Sequence, residues 1–252
     1  MPLFFVPPGQ VSSSGEVRIL DRDAWHISRV LRSRQGELVT VVVEDGLEHD
    51  VRLESLEPDQ VTGVIVASRR ARREPRARIH VLQSLPKGQG MAAVCERLGE
   101  VGAFAVWPVA TQRTVPRAGL ERGRARAERW QAVAKEAAQL AGRHRVPEVH
   151  APLPLLEALE TVAQAESGLQ ALTCHEGELR QGLSSVAWDG LRPTALLVGP
   201  EGGFTSQEVQ ELASRGARPV SLGPRNLHTT LAAVVAVTVL LARAGDLEAQ
   251  GG

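Results

Sequence analysis

The chain has 252 residues, enough for one or two domains, and its 43% hydrophobic and 23% charged residues are ordinary for a globular protein with a buried core. Its formal net charge is zero, which excludes an overall electrostatic attraction to nucleic acid and leaves that role to local clusters of cations. Two cysteines, Cys95 and Cys174, are too few for a disulfide framework and match no zinc spacing, so no metal is predicted.

Neither end of the chain predicts a targeting or membrane segment. Residues 1–10 contain no basic leader, and the apolar run 231–242 is shorter than the roughly 18 residues of a membrane span. Two cysteines without a disulfide framework indicate a reducing compartment. Together, these features predict a cytoplasmic protein with no membrane partner.

The first 70 residues predict a small β-barrel. Three β-branched runs have strand character: residues 38–43, 50–53 and 61–66. One short helix is predicted over 23–31, with Trp25, Val30 and Leu31 as the side chains that anchor it to the core. Short strands at this spacing are typical of barrels.

Arginines are concentrated in two places. Residues 69–78 read RRARREPRAR, a polar and non-periodic segment that indicates a linker. It divides the chain into a barrel (1–70), an arginine-rich linker (71–78) and a larger domain (79–252). A second cluster lies within 113–129. Such runs are usually solvated faces, but guanidinium groups also suit bidentate contacts with phosphate.

Strands and helices alternate in the larger domain. Strands are predicted over 79–85, 104–109, 169–174, 195–198 and 219–222. Helices are predicted over 89–99, 122–141, 206–215 and 229–244. The first of these helices has a core face at 3-and-4 spacing, formed by Met91, Val94, Cys95 and Leu98. This alternation is typical of a parallel sheet covered by helices on both faces, which binds ligands at the carboxyl ends of its strands.

Two loops at predicted strand ends are candidates for a ligand site. The first, GPEGGF (199–204), contains a glycine pair that permits close approach to the backbone, and Thr205 and Glu208 follow at the spacing of a capping box. The second, LGPRNLHT, contains Arg225 and ends on Thr229, the predicted N-cap of the last helix. Alone, the first loop is equally consistent with an ordinary strand-to-helix turn, and for the second loop a turn with a solvated Arg225 is favoured.

Together, the two loops resemble those of the trefoil-knotted SPOUT methyltransferases, and within them the small-subunit ribosomal RNA methyltransferase E family, which makes N3-methyluridine. Other segments resemble that family in the same order along the chain. They are HISRVLR (26–32) with Gly36, LPKG (85–88), Leu98-Gly99 with Pro108, Arg129-Trp130 through 136–138, and Gly142-Arg143 with Val146-Pro147.

The resemblance implies a fold and a reaction. The fold class is α/β, with an N-terminal PUA-like β-barrel followed by a SPOUT α/β domain that carries a C-terminal trefoil knot. The implied activity is methylation of N3 of a uridine in small-subunit (16S) ribosomal RNA by S-adenosylmethionine. The implied partners are ribosomal RNA or the small ribosomal subunit, and a second copy in a homodimer packed through the C-terminal helix. The cofactor carries its own leaving group, so no metal is required.

Site residues follow from the loops and the resemblance. The predicted cofactor-binding residues are Leu172, Val198, Gly199, Pro200, Glu201, Gly202, Gly203, Ser221, Leu222, Gly223, Leu227 and Thr229. The predicted RNA-binding residues are Arg29, Arg32, Arg69, Arg70, Arg72, Arg73, Arg113 and Arg143. Arg225 is predicted to be catalytic, as a fixed cation that stabilises the uridine anion left when N3 loses its proton, or that holds its phosphate.

The last loop departs from the family pattern LRTET, because His228 replaces an arginine and Thr230 replaces an acid. His228 is either a proton acceptor or a solvated residue at the start of a helix, and the second interpretation is favoured. For Glu201, acceptance of backbone N–H groups within the loop is favoured over a place beside the cofactor. Two alternatives remain open: methylation of another RNA, and a relative that binds RNA without catalysis.

Overall fold

The computed structural model describes residues 1–43, 46–70, 73–114, 123–178 and 180–248. The chain forms two compact units. The first comprises Met1–Glu74 and Ala138–Val146, and the second comprises Pro75–Ala137 and Pro147–Gly252. The first boundary falls within the predicted linker, but the sequence division placed 138–146 in the larger domain, whereas these residues cluster with the first unit.

The first unit is built on a five-stranded sheet with the order β1-β3-β4-β5-β2. Its strands are β1 (Leu3–Phe5), β2 (Glu16–Leu20), β3 (Leu38–Val42), β4 (Leu47–Leu56) and β5 (Gln60–Arg70). Strands β1 and β3 pair in parallel, and the other pairs are antiparallel. Alternate side chains, among them Val17, Ile19 and Leu53, fill the core on one side of the sheet. The predicted strands are present, and β4 and β5 are longer than predicted.

The predicted helix 23–31 consists of α1 (Asp21–Trp25) followed directly by a π-helix, His26–Val30. The predicted anchors are wrong. Trp25 is 52% exposed, Val30 is 49% exposed and Leu31 is 41% exposed. Ala24 and Ile27, three residues apart, are fully buried and hold the segment against the core.

The second unit is built on a parallel sheet. Its strands are β6 (Ile79–Ser84), β7 (Ala105–Ala110), β8 (Glu148–Val149), β9 (Leu153–Pro154), β10 (Gln170–Cys174), β11 (Thr194–Val198) and β12 (Ala217–Val220). The order is β12-β10-β11-β6-β7-β8, and β9 also pairs with β7. Every pair is parallel. The carboxyl ends of β12, β10 and β11 are therefore neighbours at one edge.

Helices cover both faces of this sheet. They are α2 (Gly90–Val101), α3 (Gly123–Leu140), α4 (Leu155–Ala165), α5 (Ser206–Ser214) and α6 (Thr229–Arg243). Adjacent strand residues point to opposite cores: Leu196 packs into the core formed by α2 and α6, and Leu197 into the core formed by α4 and α5. The predicted doubly covered parallel sheet is confirmed, as are all four predicted core residues of α2. Helix α4 was not predicted.

In the described part of the chain, no helix is both long and apolar enough to cross a membrane.

Candidate functional site

A cavity of about 650 Å³ lies at the carboxyl ends of β10, β11 and β12. Three loops surround it, one following each strand, and the apolar side of α6 closes it. The volume is within the range of roughly 300–1,000 Å³ that is usual for small-molecule sites. The cavity therefore lies where a parallel sheet of this kind is expected to bind its ligand.

Most predicted cofactor-binding residues line this cavity. They are Val198, Gly199, Pro200, Gly203, Ser221, Leu222, Gly223, Leu227 and Thr229. Two of the glycines have positive φ, +66° at Gly203 and +100° at Gly223, which L side chains rarely adopt. The sharp turns of both loops, and the backbone groups they turn towards the cavity, depend on these glycines.

Thr229 connects three segments of the site. Its hydroxyl donates to the carbonyl oxygen of Gly199 and accepts from Nε2 of Gln83 at 2.9 Å. Gln83 is fully buried near the end of β6 and also donates to the carbonyl oxygen of Ser84 at 2.9 Å. The start of α6 is thereby joined to the first cavity loop and to β6.

Three predicted cofactor residues do not line the cavity among the described residues. Leu172 is wrong for this role because it lies inside β10 and is fully buried in the core. Glu201 points away, and its Oε1 accepts the backbone N–H of Lys87 at 2.9 Å. The carbonyl oxygen of Gly202 accepts from the guanidinium of Arg113. These contacts fix the position of the first loop from outside.

The carboxyl group of Glu201 is charged under ordinary conditions. Burial alone would raise its pKa, but hydrogen bonds from the backbone N–H groups of Lys87 and of Glu201 itself, and the charges of His228 and Lys87, lower the pKa below its usual value. The favoured interpretation of Glu201, a carboxylate that holds the loop by accepting N–H groups, agrees with these contacts.

The second loop presents Arg225 to the cavity. This arginine is exposed and lines the cavity, and it makes no hydrogen bond or ion pair within the described residues. Thr229 was predicted as the N-cap of α6, but the N-cap is His228, whose Nδ1 accepts the backbone N–H of Thr230 at 3.4 Å. His228 is not among the cavity-lining residues. Its ring supports the start of the helix, as the favoured interpretation holds.

Sequence reasoning missed the third loop of the cavity. The lining residues here are Cys174, the last residue of β10, and, after it, His175, Glu176, Glu178, Gly182, Leu183 and Ser184. The sequence did indicate this loop, because it follows the predicted strand 169–174 and ligands bind at the carboxyl ends of such strands. Glu178 accepts from the backbone N–H groups of Arg180 and Gln181, which lower its pKa and shape the turn. Burial raises the pKa of Cys174 to about 12, so its thiol is neutral.

The predicted RNA-binding arginines of the first unit fall into two groups. Arg29, Arg32 and Arg70 are exposed, and their side chains have no hydrogen-bond or ion-pair partner among the described residues. Arg69, in contrast, is paired with two acids. Its Nε lies 2.7 Å from Oε2 of Glu48, and its guanidinium also donates to Oδ2 of Asp50 at 2.6 Å.

Other arginines of this set are paired with acids that are fully or partly buried. Nε of Arg73 lies 3.4 Å from Oε1 of Glu48, a buried carboxylate that also lies 2.8 Å from Nε2 of His144. Burial alone would raise the pKa of Glu48, but the bond with His144 and the charges of Arg73 and Arg69 lower it. Arg143 is buried and donates to Oε2 of Glu74 at 2.7 Å. The RNA-contact prediction for Arg143 is therefore corrected, because its side chain holds the segment that follows α3 against Glu74.

Two predictions lie partly or wholly outside the described residues. Arg72 is not described, and the second arginine cluster is described only at 113–114 and from 123 onwards. Arg113 is exposed, and its guanidinium binds the first cavity loop. Among the described residues, no group of three or more His, Cys, Asp or Glu side chains could hold a metal ion.

Known proteins resemble this chain over nearly its whole length. Residues 72–241 match the model of the RNA methyltransferase domain family. Ribosomal RNA small subunit methyltransferase E of Mycobacterium tuberculosis is 32% identical, over 93% of this chain and 89% of that protein. The Bacillus subtilis protein of the same name is 29% identical, over 92% of this chain and 91% of its own.

Solved structures agree in fold. The crystal structure of ribosomal RNA small subunit methyltransferase E from Neisseria gonorrhoeae bound to S-adenosyl methionine has a TM-score of 0.81 at 28% identity, covering 96% of this chain and 98% of that one. A Legionella pneumophila structure described as a methyltransferase with bound cofactor SAM has a TM-score of 0.84 at 27% identity, covering 96% and 97%.

The parallel sheet, the cavity at its strand ends and the matched domain define the class of protein, an RNA methyltransferase. Within that class, the chain belongs to the ribosomal RNA small subunit methyltransferase E family.

Proposed function

We propose that this protein transfers a methyl group from S-adenosylmethionine to N3 of a uridine in small-subunit ribosomal RNA. The observation that carries the proposal is the cavity at the ends of β10, β11 and β12, in a chain whose relatives are named for methylation of that RNA. We also propose a cytoplasmic location, which a ribosomal RNA substrate supports.

The residues of the cavity fit S-adenosylmethionine. Apolar side chains, including Leu222, Leu227 and Phe204, suit the adenine ring, and the turns at Gly203 and Gly223 bring backbone groups close enough to bind polar atoms. Glu176 and Glu178 are carboxylates that suit the cofactor's positive charges or its ribose hydroxyls. When bound, the cofactor supplies an activated methyl group.

Arg225 is proposed to act on the base. Neutral N3 of uracil has no free lone pair, so loss of its proton leaves an anion that requires stabilisation. An exposed guanidinium that lines the cavity and has no acidic partner among the described residues is available for that charge. The N-terminus of α6, which begins four residues later, adds a favourable dipole.

A trefoil knot is proposed for the second unit. Ser221, after β12, donates through its backbone N–H to the carbonyl oxygen of Gln181 at 2.8 Å, and its own carbonyl oxygen accepts from Leu183 at 2.9 Å. The guanidinium of Arg243, at the end of α6, donates to the carbonyl oxygens of Leu183 and Val186, both at 2.7 Å. Ser221 precedes α6 and Arg243 ends it, and both contact the loop between β10 and β11. These contacts support passage of α6 through that loop.

A PUA-like barrel and a homodimer are also proposed. The mixed five-stranded sheet of the first unit, with its buried inner face, supports the barrel. The dimer would pack through α6, where Leu231 is 50% exposed and Val235 and Val239 remain half-buried. These apolar residues recur at four-residue spacing along the helix, and Val235 and Val239 also line the cavity.

The proposal is tested by titration calorimetry with S-adenosylmethionine and by methyl transfer to small-subunit RNA and to assembled subunits. Leu222→Trp should fill part of the cavity and weaken cofactor binding, because Leu222 lines it. Leu191→Trp is the matched control, since Leu191 is 79% exposed and does not line the cavity. RNA binding without methyl transfer would identify a non-catalytic relative, and transfer to a different RNA would refute the proposed substrate.

A further inference from the structure

The segment that joins β2 to β3 exposes an unusual group of side chains. Trp25, Val30 and Leu31 are 52%, 49% and 41% exposed, respectively. They lie within seven residues, together with exposed Arg29 and Arg32. We call these five residues the tryptophan surface. Large apolar side chains are normally exposed singly, and a cluster of them marks an interaction site.

The fold holds this surface outward. Ala24 and Ile27 are fully buried, so Trp25 could enter the core only if the segment rotated and exposed them. The ring of His26 packs edge-to-face on Phe4, with centroids 6.2 Å apart, which also fixes the orientation of the segment.

The backbone of the segment is irregular at both ends and in the middle. Asp21 and Arg32, which flank it, have φ of +55° and +54°, in the left-handed region that favours glycine. Between them, His26–Val30 forms a π-helix, a rare geometry that occurs frequently at functional sites. Strained residues of this kind cluster at functional sites.

The charges of this surface are available to a ligand. Arg29 and Arg32 have no acidic partner among the described residues, whereas Arg69, Arg73 and Arg143 of the same unit are paired with Glu48 or Glu74. An indole and two guanidinium groups exposed on one short segment suit nucleic acid, because the ring stacks on an unpaired base and the cations contact phosphates.

We infer that the tryptophan surface binds unpaired nucleotides of the RNA substrate, with Trp25 stacked on a base and Arg29 and Arg32 on the flanking phosphates. This inference rests on the proposed function, since it assumes that the substrate is RNA. It assigns the first unit a direct contact with single-stranded RNA rather than a purely electrostatic one.

Tryptophan fluorescence provides a direct test. The chain has four tryptophans. Trp107 and Trp130 are each 7% exposed, and the indole of Trp188 donates to Thr194 at 2.8 Å, so quenching by a bound base reports mainly on Trp25. The probe is single-stranded oligouridylate of about ten nucleotides, compared with an RNA duplex of equal length. Single strands should quench the emission, duplex should quench it much less, and Trp25→Phe should abolish most of the change.

Affinity for a labelled probe separates stacking from charge. Trp25→Ala should weaken binding about tenfold without changing its salt dependence, and Trp25→Phe should retain most of the affinity. Replacing Arg29 and Arg32 by Gln should instead lower the log–log salt slope by about 1.4, or roughly 0.7 for each lost contact with a single strand.

Cofactor affinity and methyl transfer of the parental protein are measured in parallel. Failure of the proposed function can then be distinguished from failure of this inference. Trp25→Ala should bind S-adenosylmethionine like the parent. Parental RNA affinity in Trp25→Ala, or the absence of quenching, would overturn the inference. A change in oligomeric state with unchanged RNA affinity would assign the surface to a second copy of the chain and would equally overturn it.

Discussion

The hydroxyl of Thr229 is expected to stabilise both the second unit and its cofactor loop. Thr229→Val preserves the shape of the side chain but removes the bond to the Gly199 carbonyl and the acceptor for Gln83. Each hydrogen bond contributes about 0.5–1.5 kcal/mol, so the variant should lose about 1–3 kcal/mol of unfolding free energy. For a unit of this size, that corresponds to a fall in Tm of roughly 2–12 °C.

Denaturant unfolding and titration calorimetry check this expectation. If about 1.4 kcal/mol of the loss falls on the loop that lines the cavity, S-adenosylmethionine should bind about tenfold more weakly. Thr229→Ser keeps the hydroxyl and serves as the control, with a smaller loss of stability and near-parental cofactor affinity. If Thr229→Val has the parental unfolding midpoint and the parental affinity, the hydroxyl does not hold the loop and the reasoning fails.

Three further predictions concern charged residues. Arg225→Ala should bind the cofactor normally but transfer methyl groups about 10²-fold more slowly in single-turnover assays, and Arg225→Lys should recover little of that rate; a parental rate would show that Arg225 is only a solvated turn residue. Glu48→Gln should cost the first unit about 1–3 kcal/mol at neutral pH. Because the pKa of Glu48 is lowered by folding, its stabilisation is complete above about pH 4.5 and is lost as the pH falls further, so thermal melts of the variant should vary less below that pH. Arg70→Gln should reduce the salt slope of RNA binding by about 0.7, and more than Arg69→Gln does, because only Arg69 is paired with acids; equal slopes for both variants would refute the distinction.

Local patterns in the sequence predicted the features that depend on neighbouring residues. The 3-and-4 spacing of α2 identified its buried face, and the Thr205–Glu208 capping box is present, with Thr205 N donating to Glu208 Oε2 at 2.8 Å. Alternation of strands and helices predicted the parallel sheet, and the carboxyl-end rule predicted two of the three cavity loops.

Features that depend on distant residues were not predictable in this way. Arg73 pairs with Glu48 and Arg143 pairs with Glu74, and both acids lie far from their arginines in the sequence. A run of arginines therefore does not indicate which acids will pair with it. The apolar side chain of Trp25 was predicted to anchor its helix, but the small Ala24 lies inward and Trp25 outward. Leu172 was predicted to bind the cofactor, but two further residues of β10 separate it from the carboxyl end of the strand.

The most direct test of the central claim is mass spectrometry of small-subunit ribosomal RNA from a strain that lacks this protein. The proposed function predicts that one N3-methyluridine disappears, that the parental chain restores it, and that Arg225→Ala does not restore it fully. Small-subunit RNA with its N3-methyluridine unchanged in that strain would contradict the claim.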